Sequence, residues 1–372
     1  MAHHTHRRWT RGLVFVAVTA GFVLGFWVGV KGELPFAKAQ MMKPPIPGLH
    51  AYTMGHAKNQ NPPDRLGGPL TVEVTQKNGS TRWVLPGPRG LDPSVFGTPE
   101  HPVGFDPAPF PLLGVPLDMR GVRDGHYTIV KHATPFSDWR EVGVGSINMK
   151  VVDATAIDGA RTKDKVQFEA TFKSPDGKHE YRVVAGKPLP HGMAFPTFGG
   201  VVTNHLLHGV TGIGTRLMPT EFNYVAFWAI GQIYRDGKLV NDKHLIHVMV
   251  TEVVRGDNYK LQFDGGVGNP PSGITLHLMV PPYRPGPKGM ERVNVKTGFV
   301  PFPFIQKHMM ETMKKVQSLP PQQRQMMMAR LKEVKELMMK TKEHVMEAMK
   351  KGEMDGQPFL HVMFGNIEMK AK

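Results

Sequence analysis

The sequence predicts a mainly β protein: an antiparallel β-barrel or sandwich, with an inserted C-terminal α-helical hairpin and an N-terminal transmembrane or signal helix. Three observations carry this. Between residues 126 and 283, apolar segments of strand length recur between Gly-, Pro- and Asp-Gly-type turns, with no alternating helical period. Residues 304–352 instead repeat Met327, Leu331, Val334, Met338, Val345 and Met349 at helical spacing against Lys- and Glu-rich faces. The 372 residues include 41 Gly and 33 Pro, a composition suited to many turns and irregular connections.

In chain order, Leu13 to Val30 is free of charge and follows Arg7, Arg8 and Arg11. Residues 1–39 therefore read as a signal peptide or signal anchor, with a transmembrane segment at 13–30 and the N-terminus held in the cytoplasm by the positive-inside bias. Ala37-Lys38-Ala39 offers a small-x-small cleavage site, which would release the rest of the chain. The length of the run, and Gly21, Gly25 and Gly29 on one helix face, argue for retention as a single anchor. Either fate places the bulk of the protein outside the cytoplasm, as in a periplasm. Residues 40–69 form a Pro/Gly-rich linker.

An antiparallel β-domain is expected over 70–303. Leu70 to Thr75 and Thr81 to Leu85 flank Asn78-Gly79, a hairpin signal. The Pro-rich stretch 86–118 lacks periodicity and reads as an ordered loop or lid. Strands are expected at 126–131, 142–152, 166–173, 179–185, 221–234, 239–254, 259–263 and 273–281. Within 222–234, Phe222, Tyr224, Trp228, Ile230 and Tyr234 alternate with Val225, Phe227, Ala229 and Ile233, so both faces are expected to be buried. A Met-rich helical hairpin follows at 304–352, its second helix starting at Ser318 before Pro320-Pro321. Residues 353–372 supply a returning strand and tail, which makes the hairpin an excursion from the β-domain.

The chain has no cysteine, which excludes disulfides, thiolate metal sites and thiol catalysis. Its formal net charge of +15 suits an anionic membrane surface, an acidic partner, or simple solubility. Nucleic acid is not an expected partner, because no basic patch is interleaved with aromatics. No G-x-S-x-G or H-E-x-x-H motif occurs, and no carboxylate pair stands out by spacing, so a binding protein is expected rather than an enzyme. The glycines at 209, 212 and 214 resemble a phosphate loop but lack the trailing Lys-Ser/Thr, and read as a turn.

The most specific chemical signal is His followed two residues later by Met. It occurs six times, where random placement of 18 His and 24 Met gives about one. The pairs are His191/Met193, His247/Met249, His277/Met279, His308/Met310, His344/Met346 and His361/Met363. On a strand, residues i and i+2 share a face. The near-repeated His247-Val-Met249, His277-Leu-Met279 and His361-Val-Met363 therefore offer imidazole and thioether to one side of a sheet. That ligand set, with no thiolate, suits copper, and these six residues are the candidate metal ligands.

Three rivals compete with this reading. His and Met can simply fill a core. An aromatic-lined, calycin-like barrel could hold an apolar small molecule. The helices at 304–352, with eleven methionines between 305 and 354, could dock an accessory protein partner. Two weaker clusters, His50/Met54/His56 in the linker and His205/His208 in an expected loop between glycines, complete the candidates.

Overall fold

The computed structural model describes residues 70–102, 117–131, 133–137, 139–154, 163–189, 200–208, 217–218, 221–253, 274–287 and 289–371. The expected signal helix and linker, the His50 cluster, His191/Met193, the 209–214 glycines and the strand at 259–263 lie outside these residues.

Eight antiparallel strands close into a barrel. In chain order the elements begin with β1 (Leu70–Val84), β2 (Arg120–Arg123), β3 (His126–Val130), β4 (Arg140–Asp153), β5 (Lys165–Lys173), β6 (Glu180–Pro188) and β7 (Val201–Leu207). They continue with β8 (Glu221–Arg235), β9 (Lys238–Val253), β10 (Thr275–Val280), β11 (Tyr283–Gly286) and β12 (Gly289–Arg292). Helices α1 (Phe302–Gln317) and α2 (Pro321–Lys350) precede β13 (Leu360–Phe364) and β14 (Glu368–Ala371). The ring runs β1-β4-β5-β6-β8-β9-β10-β13 and closes where β13 pairs with β1 through Thr81↔Phe364 and Trp83↔Val362. The choice between barrel and sandwich is thereby settled as barrel. β7 pairs with the first half of β8, and β14 lies along the first half of β1.

One residue in two points into the lumen. Val72 and Val74, Ile147 and Val151, Phe168 and Phe172, Val183, Phe227, Ile246, Leu278 and Val362 all belong to one buried cluster. Aromatics meet across it: Phe172 on β5 contacts Phe364 on β13 at 6.0 Å, and Trp83 on β1 contacts Tyr181 on β6 at 5.4 Å. These strands are not neighbours in the ring, so the contacts cross the lumen. The extended segment after β12 closes one end, where Phe299 packs on Trp83 and the Tyr181 hydroxyl donates to Thr297 O.

The helices add to this core. Phe302 and Ile305 of α1, with Val334, Met338 and Val345 of α2, pack into the same cluster, the stripe expected from the helical period. Ser318 does not start the second helix. It ends α1, its Oγ donating to Lys315 O at 2.7 Å, and α2 starts at Pro321, where the missing amide costs nothing. Met310, Met313, Met326, Met328 and Met339 remain exposed on the outer sides of the pair.

Two expectations need correction. Asn78-Gly79 makes no hairpin: 70–84 is one strand, and both halves pair with β4 from Leu70↔Asp153 to Val84↔Arg140. The left-handed Asn78 (φ 47°) serves a bulge, filled by the Gln76 side chain, whose amide donates to Ser80 O and Gly365 O. Residues 201–207 are strand rather than loop, paired along β8 from Val201↔Phe227 to Leu207↔Glu221. The long apolar β8 supplies more edge than β6 occupies, and this segment takes the remainder.

The described residues of 85–102, 117–131, 133–137 and 139 lie over the outside of the barrel as a cover. Leu85 N donates to Trp139 O, and Leu91 N to Thr128 O, so 85–91 runs beside the returning chain. The β2–β3 hairpin turns at Asp124-Gly125, both at positive φ. Buried Arg120 is held between the Phe96 and Tyr127 rings, its guanidinium 5.1 and 5.2 Å from their centroids. Arg123 pairs with Glu333 at 2.8 Å and so links the cover to α2.

Candidate functional site

The three His-x-Met strands are neighbours: β9 pairs with β10, and β10 with β13. Their inward positions are Val248, Leu278 and Val362. Period two therefore puts every His and Met of the three motifs on the outer wall, beneath the cover. Register arranges them as a checkerboard. His277 stands opposite Met249 on one side and Met363 on the other, while Met279 stands opposite His247 and His361. All six are buried, none more than 8 % exposed.

The hydrogen bonds fix the tautomers. A carbonyl only accepts, so Nδ1 of His361 carries the proton it donates to Pro135 O at 2.8 Å, leaving Nε2 as a lone pair. His277 Nδ1 stands 3.2 Å from that Nε2 and is the donor to it. His247 Nδ1 donates to Phe227 O at 2.9 Å, which leaves its own Nε2 as a lone pair. Burial depresses these rings as bases: His247 and His361 to about 4, and His277 well below the ordinary range, with neighbouring His361 adding to the effect. Neutral imidazole at pH 7 is the form that ligates metal.

Neighbours shape the wall. Trp228 of β8 stacks on His247 with ring centroids 4.1 Å apart, and Phe136 of the cover meets His361 edge-on at 5.7 Å. His208 follows β7 with a left-handed backbone (φ 65°), uncommon for a residue with a side chain. It is buried, and its Nε2 lies 3.3 Å from the Met249 sulfur. A void of about 20 Å3 opens between Trp228, Met279, Phe136 and His361. Among the described residues, no three His, Asp or Glu side chains are grouped closely enough to hold one ion. The helical pairs are placed elsewhere: His308 stacks on Trp139 and pairs with Glu141 at 2.9 Å.

Beside the checkerboard lies a cavity of about 230 Å3, which His277, His361 and Met363 share with a set of charged residues. Arg82 of β1, Arg140 of β4 and Arg89 of the cover line it, together with Glu221 of β8 and Glu252 of β9. Arg89 Nε donates to Leu217 O at 2.8 Å. Burial pushes both carboxyls up to about 7, partly offset for Glu221 by a Thr251 hydrogen bond and for Glu252 by Tyr224. These residues escape a sequence reading. The one signal is Glu221 heading a mostly apolar strand, and nothing local ties it to Arg140, 81 positions earlier.

Fold and site together define a closed antiparallel eight-stranded barrel whose outer wall carries a covered His/Met layer. Compared with protein-family models, curated proteins and solved structures, the chain matches none.

Proposed function

We propose that this is an exported, membrane-tethered copper-binding protein that holds Cu(I) on its outer barrel wall. His277 and His361 supply nitrogen ligands, Met249, Met279 and Met363 supply thioethers, and His247 is the third imidazole of the layer. The observation that carries the reading is the 3.2 Å separation of His277 Nδ1 and His361 Nε2 inside the His/Met checkerboard. Two nitrogens each about 2.0 Å from one tetrahedral ion lie about 3.3 Å apart. To ligate, neutral His277 moves its single proton from Nδ1 to Nε2, while His361 keeps its Nδ1–H on Pro135 O. A backbone carbonyl holding the far nitrogen is the usual support for a metal-bound imidazole. Two imidazoles with thioethers and no carboxylate or thiolate favour soft Cu(I) over zinc. Membrane tethering rests on the uncharged run at 13–30. An apolar lumenal ligand is the weaker reading, since Trp83, Phe172, Tyr181 and Phe364 pack on one another where it would sit.

Metal-stripped protein titrated with Cu(I) against a chromogenic chelator should take up one equivalent. The His277→Ala/His361→Ala variant, checked for fold by circular dichroism, should leave that copper with the chelator. Uptake unchanged by the double substitution, or no uptake by the parent protein, would refute the proposal.

A further inference from the structure

Helix α2 sorts its charges by face. Its buried side is Leu331, Val334, Met338, Val345 and Ala348. On the flank beside it, Arg324, Met328, Lys332, Lys335, Met339, Lys342, Met346 and Lys350 follow one another at steps of three or four. At about 100° per residue these positions fall within about 80° of the circumference, in a stripe about 39 Å long. The acids of α2, Glu333, Glu336, Glu343 and Glu347, all fall outside it. The cations of the stripe are exposed, Met328 and Met339 are 42 % and 53 % exposed, and Met346 is half-buried. Exposed helix faces gain stability by interleaving Glu with Lys four residues apart. Here the ion pairs use residues off the stripe: Glu333 with Arg123 of the cover, and Glu347 with Lys351. Lys332 and Lys335 instead stand as like charges one turn apart, which costs helix stability unless an anion lies across them. The turn of the hairpin continues the pattern, since Thr312 to Lys332 contains Lys314, Lys315, Arg324, Arg330 and Lys332 and no acid.

We propose that this stripe lies on an anionic membrane surface, with α2 parallel to the membrane plane, its cations on lipid phosphates and Met328 and Met339 between the headgroups. A uniformly cationic line matches a surface that is anionic everywhere. Lysine stems lie along apolar surface while their ammonium groups reach the phosphates, and unbranched thioethers adapt to an irregular, fluid boundary. A protein partner fits less well, because the cores of protein interfaces are depleted of lysine, which holds half the positions of this stripe. Cations on one side and apolar groups inserted beside them are the composition of a helix lying in the interface. Each cation held near an anionic leaflet strengthens partition about fivefold. The proposal uses no metal ligand and stands independently of the copper reading.

The chain has no cysteine, so one introduced thiol carries a spin label at a single position. Full-length Met339→Cys, so labelled, is mixed with lipid vesicles, and relaxation by oxygen against a water-soluble nickel chelate reads immersion of the label. On vesicles of equimolar phosphatidylglycerol and phosphatidylcholine, the ratio of immersed to aqueous label should be at least about tenfold higher than on phosphatidylcholine alone. A label on Lys340→Cys, about 100° round the helix, should stay in water on both. Adding Lys332→Glu, Lys335→Glu and Lys342→Glu to the labelled Met339→Cys chain, folded by circular dichroism, should bring the ratio down to its phosphatidylcholine value. An aqueous label at position 339 on anionic vesicles, equal immersion on the two lipids, equal immersion at 339 and 340, or a charge-reversed chain that behaves as its parent would each overturn the proposal. Immobilisation of the label by soluble poly-L-glutamate, without immersion on the anionic vesicles, would also overturn it and assign the stripe to an acidic protein. Copper is absent throughout, so failure here leaves the Cu(I) competition result untouched.

Discussion

Trp228 lies flat on His247: the ring centroids are 4.1 Å apart and the planes 9° from parallel. The indole is thus an optical reporter in contact with the His/Met wall. Cu(I) entering that wall should quench tryptophan emission with the same stoichiometry as chelator competition. Trp228→Phe should remove most of the change while leaving copper affinity within about threefold. Equal quenching in parent and variant would place the metal elsewhere.

Acid should unfold the metal-free protein early. His244, His247 and His361 are depressed to about 4 and His277 further, so all four are neutral when folded and protonated when unfolded between about pH 5 and 6. Glu221 and Glu252, raised to about 7, are protonated when folded and ionised when unfolded in the same window. Unfolding there takes up four protons and releases two. Stability should therefore fall with decreasing pH by roughly 2.7 kcal/mol per unit, read as the pH dependence of the urea midpoint. A flat profile over that unit would contradict the burial of these rings.

Glu221 acts in the opposite direction. Its raised pKa means that stability is full below the ordinary carboxylate range and declines as pH rises toward 7. Glu221→Gln removes this penalty. It should change little near pH 4 and stabilise by up to about 3 kcal/mol at pH 8, measured by denaturant unfolding at both values. Equal effects at the two pH values would show that the carboxyl is not desolvated.

Phe364 closes the barrel from inside, touching Phe172 across the lumen. Phe364→Ala should cost about 3–5 kcal/mol and lower the melting temperature by several degrees or more. Val142→Ala on the exposed outer face (76 % exposed) should stay within about 0.5 kcal/mol. A small loss at Phe364 would mean that the lumen is not closely packed there.

The shared face of the three pairs was legible because its signal is local, whereas which side of the sheet it forms was not. A period of two carries His247/Met249, His277/Met279 and His361/Met363 to one face whatever the strand order. The barrel's closure was not legible, since pairing of β13 with β1 depends on contacts that no window of sequence contains. Asn78-Gly79 misleads for a related reason: a left-handed residue serves a hairpin or a bulge equally well, and only the partner strand decides. The 201–207 strand hides behind Asn204 and His205, polar residues that break an apolar pattern. Glu221 and Arg140 meet only through folding, so the charged cavity had no linear signature.

The stave that seals the cylinder is contributed after both helices, and Gln76 near its start is fastened to Gly365, 289 positions later. Until that late segment arrives, the sheet is an open cup with two raw edges, the state most prone to pairing with a neighbour. Closure thus rests on a contact of long sequence separation, the kind that forms slowly, and until the seam zips those edges are the aggregation-exposed part of the sheet.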